Sequence, residues 1–202
     1  MYTIAAVLEG VAPLLCNGWS QDALDKLDRG ETGGKLTPEE RHDEACQKVV
    51  WTDGDGLPAA PTIPLDGPVT LSFVRPPQGA VKKAIVRACQ LANLKEGQKG
   101  LGTYLEATLF VDADAAFEPC QVFMHRVWGR RPPRTGPACV VRRPALAAGW
   151  RLPLTLVVTD DLRGPDRVRQ AVEAAGLLVG IGSWRPEYGR FILAGWHVAG
   201  HP

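Results

Sequence analysis

LPLTLVVTDDLRGPDRVRQAVEAAGLLVGI, residues 152–181, decides the fold. Leu152, Leu154, Leu156 and Val158 alternate with Pro153, Thr155, Val157 and Thr159, the period-2 pattern of a strand with one buried face. Gly164-Pro165-Asp166 then opens a helix. Proline suits the first turn, where its missing N–H leaves no bond unmade, and Val168, Ala171, Val172 and Ala175 recur at i, i+3, i+4 and i+7. Gly176 is expected to end that helix, with strand-like runs at Leu177–Ile181 and Tyr188–Val198 on either side of a glycine-rich loop. Strand, helix, strand and return make half of a ferredoxin-like α+β sandwich.

Upstream segments supply the other half. Residues 2–15 (YTIAAVLEGVAPLL) read as a first strand ended by Pro13 and Asn17-Gly18. Val69–Val74 reads as a short strand and Ala80–Asn93 as a helix, with Val81, Ile85, Ala88 and Ala92 on its packed face and Gly79, Lys83 and Arg87 on another. Further strands are expected at Tyr104–Val111 and Cys120–Trp128. Between these pieces, residues 20–66 change character: charged, with a helix capped by Thr37 and started by Pro38, and a Pro/Gly-rich exit. The expected fold is therefore α+β, a ferredoxin-like (RRM-like) antiparallel sheet with helices on one face. It forms one domain over residues 1–202, with an inserted acidic lobe at about 20–66 and a basic loop at about 129–137.

The 202 residues are 45% hydrophobic and 22% charged, which excludes wholesale disorder and a collagen-like chain. Five cysteines, at 16, 46, 89, 120 and 139, form no CxxC pair, so reduced, packed thiols are expected rather than a disulfide framework. No apolar run approaches the roughly 20 residues of a membrane helix, and the expectation is a soluble cytoplasmic protein without membrane contact. Net charge is only +1, but its distribution is uneven. Asp22–Asp55 holds ten acidic residues against five basic ones, whereas Gln121–Arg151 holds seven arginines and no acid. Arg75, Lys82, Lys83, Arg87, Lys95 and Lys99 form a second basic group. Such asymmetry fits a basic face that holds a polyanion, with an acidic lobe that avoids it or docks on a neighbouring copy. Solvated, scattered arginine is the alternative.

At Gly180, Gly182 and Gly189 the backbone is free to adopt positive φ and to bring main-chain N–H groups near a phosphate. Trp184 and Tyr188 offer stacking surfaces there, and Arg185 and Arg190 offer charge. The competing expectation is a tight turn whose aromatic rings pack inward. His42 and Cys46 stand at i, i+4, the spacing of two metal ligands, and Cys120 with His125 would have to fold against them to complete a site. Asp112 and Asp114 form a DxD better suited to a turn than to a cation. P-loop, GxSxG, HExxH and dinucleotide fingerprints are absent, and no cofactor, metal or catalytic residue is assigned.

Three stretches, in order, resemble the RAMP superfamily, the repeat-associated proteins that include backbone subunits of CRISPR effector complexes. They are Val7–Leu15 (VLEGVAPLL), Pro76–Arg87 (PPQGAVKKAIVR) and Gly180–Phe191 (GIGSWRPEYGRF). The resemblance implies a ferredoxin-like core that binds single-stranded RNA or a guide strand and assembles head to tail with its own copies beside further subunits of a ribonucleoprotein complex. A phage or mobile-element relative on the same fold is equally compatible. Candidate nucleic-acid-binding residues are Lys83, Arg87, Arg130, Arg131, Arg134, Arg142, Arg143, Trp184, Arg185, Tyr188 and Arg190. One alternative is an RNA-processing endonuclease of the same superfamily, for which His42 or Asp22, Asp25 and Asp28 are the local candidates. Another is a phage structural or interaction protein whose arginines dock an acidic protein partner.

Overall fold

The structure, a computed structural model, describes residues 1–16, 37–52, 58–59, 61–72, 74–76, 79–96, 99–112, 115–130, 138–160 and 164–200. In chain order the elements begin with β1 (Tyr2–Gly10), β2 (Leu14–Leu15), α1 (Pro38–Cys46), β3 (Val50–Thr52) and β4 (Pro58–Ala59). Then come β5 (Val69–Leu71), β6 (Val74–Arg75), α2 (Ala80–Leu91), β7 (Lys95–Glu96), β8 (Lys99–Gly100) and α3 (Leu101–Thr108). The last group is β9 (Leu109–Val111), β10 (Cys120–Arg130), β11 (Ala138–Leu146), β12 (Arg151–Val158), α4 (Pro165–Leu178) and β13 (Phe191–Ala199).

β1 lies at the centre of a four-stranded antiparallel sheet of order β13-β1-β12-β9. With α2 between β1 and β9, and α4 between β12 and β13, this is the ferredoxin-like α+β arrangement. Alternation dictates which face is covered. Tyr2, Ile4, Ala6 and Leu8 of β1 and Leu152, Leu154, Leu156 and Val158 of β12 are buried, and they join Val81, Ala84, Ile85 and Ala88 of α2 and Val168, Ala171, Val172 and Ala175 of α4 in one core. The opposite face carries Ala5, Pro153, Ile192 and His197 in the open. A second sheet, β2-β11-β10-β5, contains a long hairpin whose register runs from Val122↔Leu146 to Arg130↔Ala138.

Several sequence expectations are corrected. Residues 2–15 are two strands in different sheets: after Gly10 the chain turns around the buried Trp150, whose indole N–H donates to the Ala12 carbonyl (3.0 Å). Val69–Val74 likewise divides between β5 and β6. Tyr104–Thr108 is not strand but the end of α3, because Leu101 and Leu105 bury one turn apart and Gly102 lets the helix sit against α2, where a Cβ would lie 3.0 Å from the Val86 carbonyl oxygen. Gly176 does not end α4, which continues to Leu178; a Cβ there would collide with the Phe191 carbonyl, so this glycine serves the approach of β13. Accordingly Leu177 and Leu178 are helical, and β13 begins at Phe191 rather than Tyr188. Arg130, expected in a loop, pairs with Ala138 as the last residue of β10.

Within the segment read as an acidic lobe, α1 begins as expected, with a capping box in which the Glu40 N–H donates to Thr37 Oγ1 (3.2 Å) and the Thr37 N–H donates to Glu40 Oε2 (2.7 Å). Cys46, Val49 and Ile63 of this segment belong to the main core. Residues 17–36, 53–57, 60 and 131–137 lie outside the described residues. Among the described residues no helix is long and apolar enough to cross a membrane.

Candidate nucleic-acid interface

The outer face of α2 is a stripe of Gly79, Lys83, Arg87 and Leu91 at four-residue spacing. Lys83 and Arg87 are exposed, and Arg87 Nη1 donates to Gln90 Oε1 (3.0 Å), which steadies the guanidinium beside the helix end. Gly79, at φ +70°, lets the chain enter the helix from a left-handed conformation.

Residues 180–190 form a loop stapled to the strand ends beneath it. The Ile181 N–H donates to the Gly189 carbonyl (3.0 Å), the Ser183 N–H to Leu15 (3.0 Å) and the Gly189 N–H to Pro13 (2.8 Å). Gly180, Gly182 and Gly189 do take positive φ, as their spacing implies, but the close approach they permit is to the chain's own backbone. The N–H groups of Gly180, Ile181, Ser183, Tyr188 and Gly189 are all donated internally, so these five do not face a phosphate. What the loop presents instead is side chains. Trp184, Arg185 and Arg190 are exposed. Tyr188 is half-buried beside Leu15, Ala145 and Phe123, and its hydroxyl shares a hydrogen bond with His125 Nε2 (3.0 Å).

This anchoring brings Arg185 and Trp184 to the ends of α2 and α4. There they line an open cleft of about 680 Å³ with Arg87, Leu91, Leu178 and Ser183, and no lining residue is acidic. Positions 87 and 185, nearly a hundred residues apart in sequence, thus share one water-facing depression. Lys83 stands one turn from Arg87 on the same helix face.

The β10–β11 hairpin holds a separate group. Arg126 and Arg142 stand directly opposite each other, both exposed and neither ion-paired among the described residues. Like charges in this register repel, so an anion between them would be stabilising. Arg143 lies on the other face, opposite His125, half-buried with its Nε lacking a partner. Burial pushes the Arg143 guanidinium below its ordinary value, and Glu44 of α1 partly restores it. Arg131 and Arg134 lie outside the described residues, as does the Arg130 side chain. Arg126, His125, Leu91 and Leu178 were not singled out as binding residues in the sequence; only the register and the helix ends reveal them.

No family model matches this chain, and no curated protein does. Among solved structures 71 chains match. One belongs to the cryo-EM structure of the type III-B Cmr-beta bound to cognate target RNA, at 11% identity and a TM-score of 0.46, with all of this chain covered and 61% of that one. The chain therefore spans about three-fifths of that neighbour's length.

The remaining chemical candidates are dispersed. His42 Nε2 lies 3.8 Å from Cys46 Sγ and its Nδ1 is buried without a partner. Cys120 faces the core and the Leu71 carbonyl, whereas His125 faces Tyr188 from the other side of β10, so the pair does not join His42 and Cys46. Among the described residues no three His, Cys, Asp or Glu side chains gather as a metal site. Asp22, Asp25, Asp28 and Asp114 lie outside the described residues. Burial pushes the thiols of Cys16, Cys46, Cys89 and Cys120 up from their ordinary value, which leaves them protonated and poorly nucleophilic at neutral pH.

Proposed function

We propose that the chain is a largely sequence-independent, non-enzymatic binder of single-stranded nucleic acid, RNA or a guide strand, held by Lys83, Arg87, Trp184 and Arg185 with Arg190 and the hairpin arginines alongside. The observation that carries this reading is the acid-free cleft in which Arg87 and Arg185 flank an exposed tryptophan. Cations neutralise phosphates and release counterions, and an aromatic plane stacks on any base, so the combination favours single strands without selecting a sequence. Head-to-tail association of copies, with the exposed Glu39 and Asp43 of α1 meeting the arginines of a neighbour, is the assembly that suits the charge asymmetry.

Fluorescence anisotropy of labelled single-stranded RNA and DNA across a salt series tests the binding. For single strands the log–log salt slope changes by about 0.7 per phosphate neutralised, so Lys83→Ala with Arg87→Ala is expected to flatten it by about 1.4. Absence of binding at low salt, or an unchanged slope in the double variant, overturns the proposal. Light scattering on the same samples is expected to show assemblies larger than one chain per strand. A monodisperse monomer on nucleic acid overturns the head-to-tail arrangement.

A further inference from the structure

The cleft is only half cationic. Leu91 is 52% exposed, Leu178 39% and Trp184 39%, and the neighbouring Leu177 is 69% exposed. Three of the nine large hydrophobic side chains exposed among the described residues, Leu91, Leu178 and Trp184, therefore line this one cleft. Isolated exposed leucines are ordinary, but a cluster beside convergent charges marks a contact surface. A sugar–phosphate backbone gains nothing from leucine.

We infer that this cleft seats an unstacked base of the bound strand between Trp184 and the Leu91–Leu178 wall, with Arg87 and Arg185 on its flanking phosphates; this rests on the nucleic-acid-binding reading above. Three observations carry it. The cleft, of about 680 Å³ and open to solvent, has room for one base and lets the strand enter from its open side. The apolar wall and the tryptophan ring lie in the same cleft as both guanidinium groups, and indole and guanidinium planes all stack on bases. Trp184 is also held at φ +54°, a left-handed conformation unusual for a bulky residue. The Tyr188 N–H donates to the Trp184 carbonyl (3.1 Å), and Tyr188 is itself tied to His125, so the loop holds this stretch of backbone in place. An acidic, leucine-bearing segment of a protein partner would match the charge and the apolar wall but makes less use of the exposed indole plane.

Equal phosphate counts with and without bases separate this seat from simple charge binding. The probes are oligothymidylate and a fully abasic strand of the same length, compared by anisotropy at matched salt. Wild type is expected to bind the thymidylate about tenfold or more tighter than the abasic strand. Trp184→Gly, which accepts the positive φ, and Leu178→Ser, at a partly exposed site, are each expected to bring that ratio close to one while circular dichroism remains native. Equal wild-type affinity for the two strands overturns the base seat but leaves salt-dependent binding, and hence the broader reading, in place. A ratio that survives both substitutions also overturns it. If neither strand binds at low salt, both readings fall.

Discussion

A Cβ on residue 182 would lie 2.7 Å from the Leu15 carbonyl oxygen, at a backbone φ of +82°. Both facts penalise any side chain: the left-handed conformation costs about 1–2 kcal/mol, and the obstacle is backbone that has no rotamer to yield. Gly182→Ala is therefore expected to lower stability by about 2 kcal/mol, or a melting temperature by about 4–8 °C for a domain of this size. Because the Ser183 N–H bond to Leu15 sets the height of the loop, the same substitution should also displace Trp184 and weaken oligonucleotide binding. Thermal melts and anisotropy on one sample check both effects; a stable protein with wild-type affinity would show that the loop is not pinned at this point.

Arg126 and Arg142 show an element carrying charge against its own interest. Replacing one by a carboxylate would turn a repelling cross-strand pair into an attracting one, worth about 0.2–1 kcal/mol to the hairpin. Arg126→Glu is expected to raise or hold the melting temperature while it weakens oligonucleotide binding; a loss of stability without a loss of binding would argue that the pair is merely tolerated. Sequence and structure agree best at this scale where local chemistry suffices. The alternation of 152–158, the Pro165 start of α4 and the Thr37 cap of α1 were all legible, because period and caps are local. α3 was not, since what makes it a helix is contact with α2 through Gly102. Gly176 misled for the same reason: its role depends on β13, fifteen residues later. The cationic half of the cleft was legible as residue types, Arg87 and Arg185 among them, but its apolar half was not. Leu91 and Leu178 close two helices, and a leucine in that position reads as core until the ends of the helices are seen to open on solvent.

Most of the buried apolar side chains among the described residues belong to one continuous core, with Leu15 and Ala145 in a small separate cluster. Cys16, Cys46, Cys89 and Cys120 all belong to the cluster that joins the ferredoxin-like layer to the base of the hairpin. These thiols therefore report on the global fold. Burial pushes Cys16 up to about 12 and Cys89 and Cys120 up to about 11, from an ordinary value of 9.0. Each holds its proton more tightly folded than unfolded, so its contribution to stability is complete below pH 9 and is lost as pH rises towards 11–12. At pH 10 the unfolded thiols are largely ionised and the folded ones are not, which removes about 1 kcal/mol per thiol. For the three thiols together the melting temperature is expected to fall by about 6–12 °C between pH 8 and pH 10. Cys16→Ala, compared with wild type over the same range, should show a shallower decline, because one linked proton is gone. A flat profile in wild type would mean that the thiols ionise as readily in the folded protein as in the unfolded one.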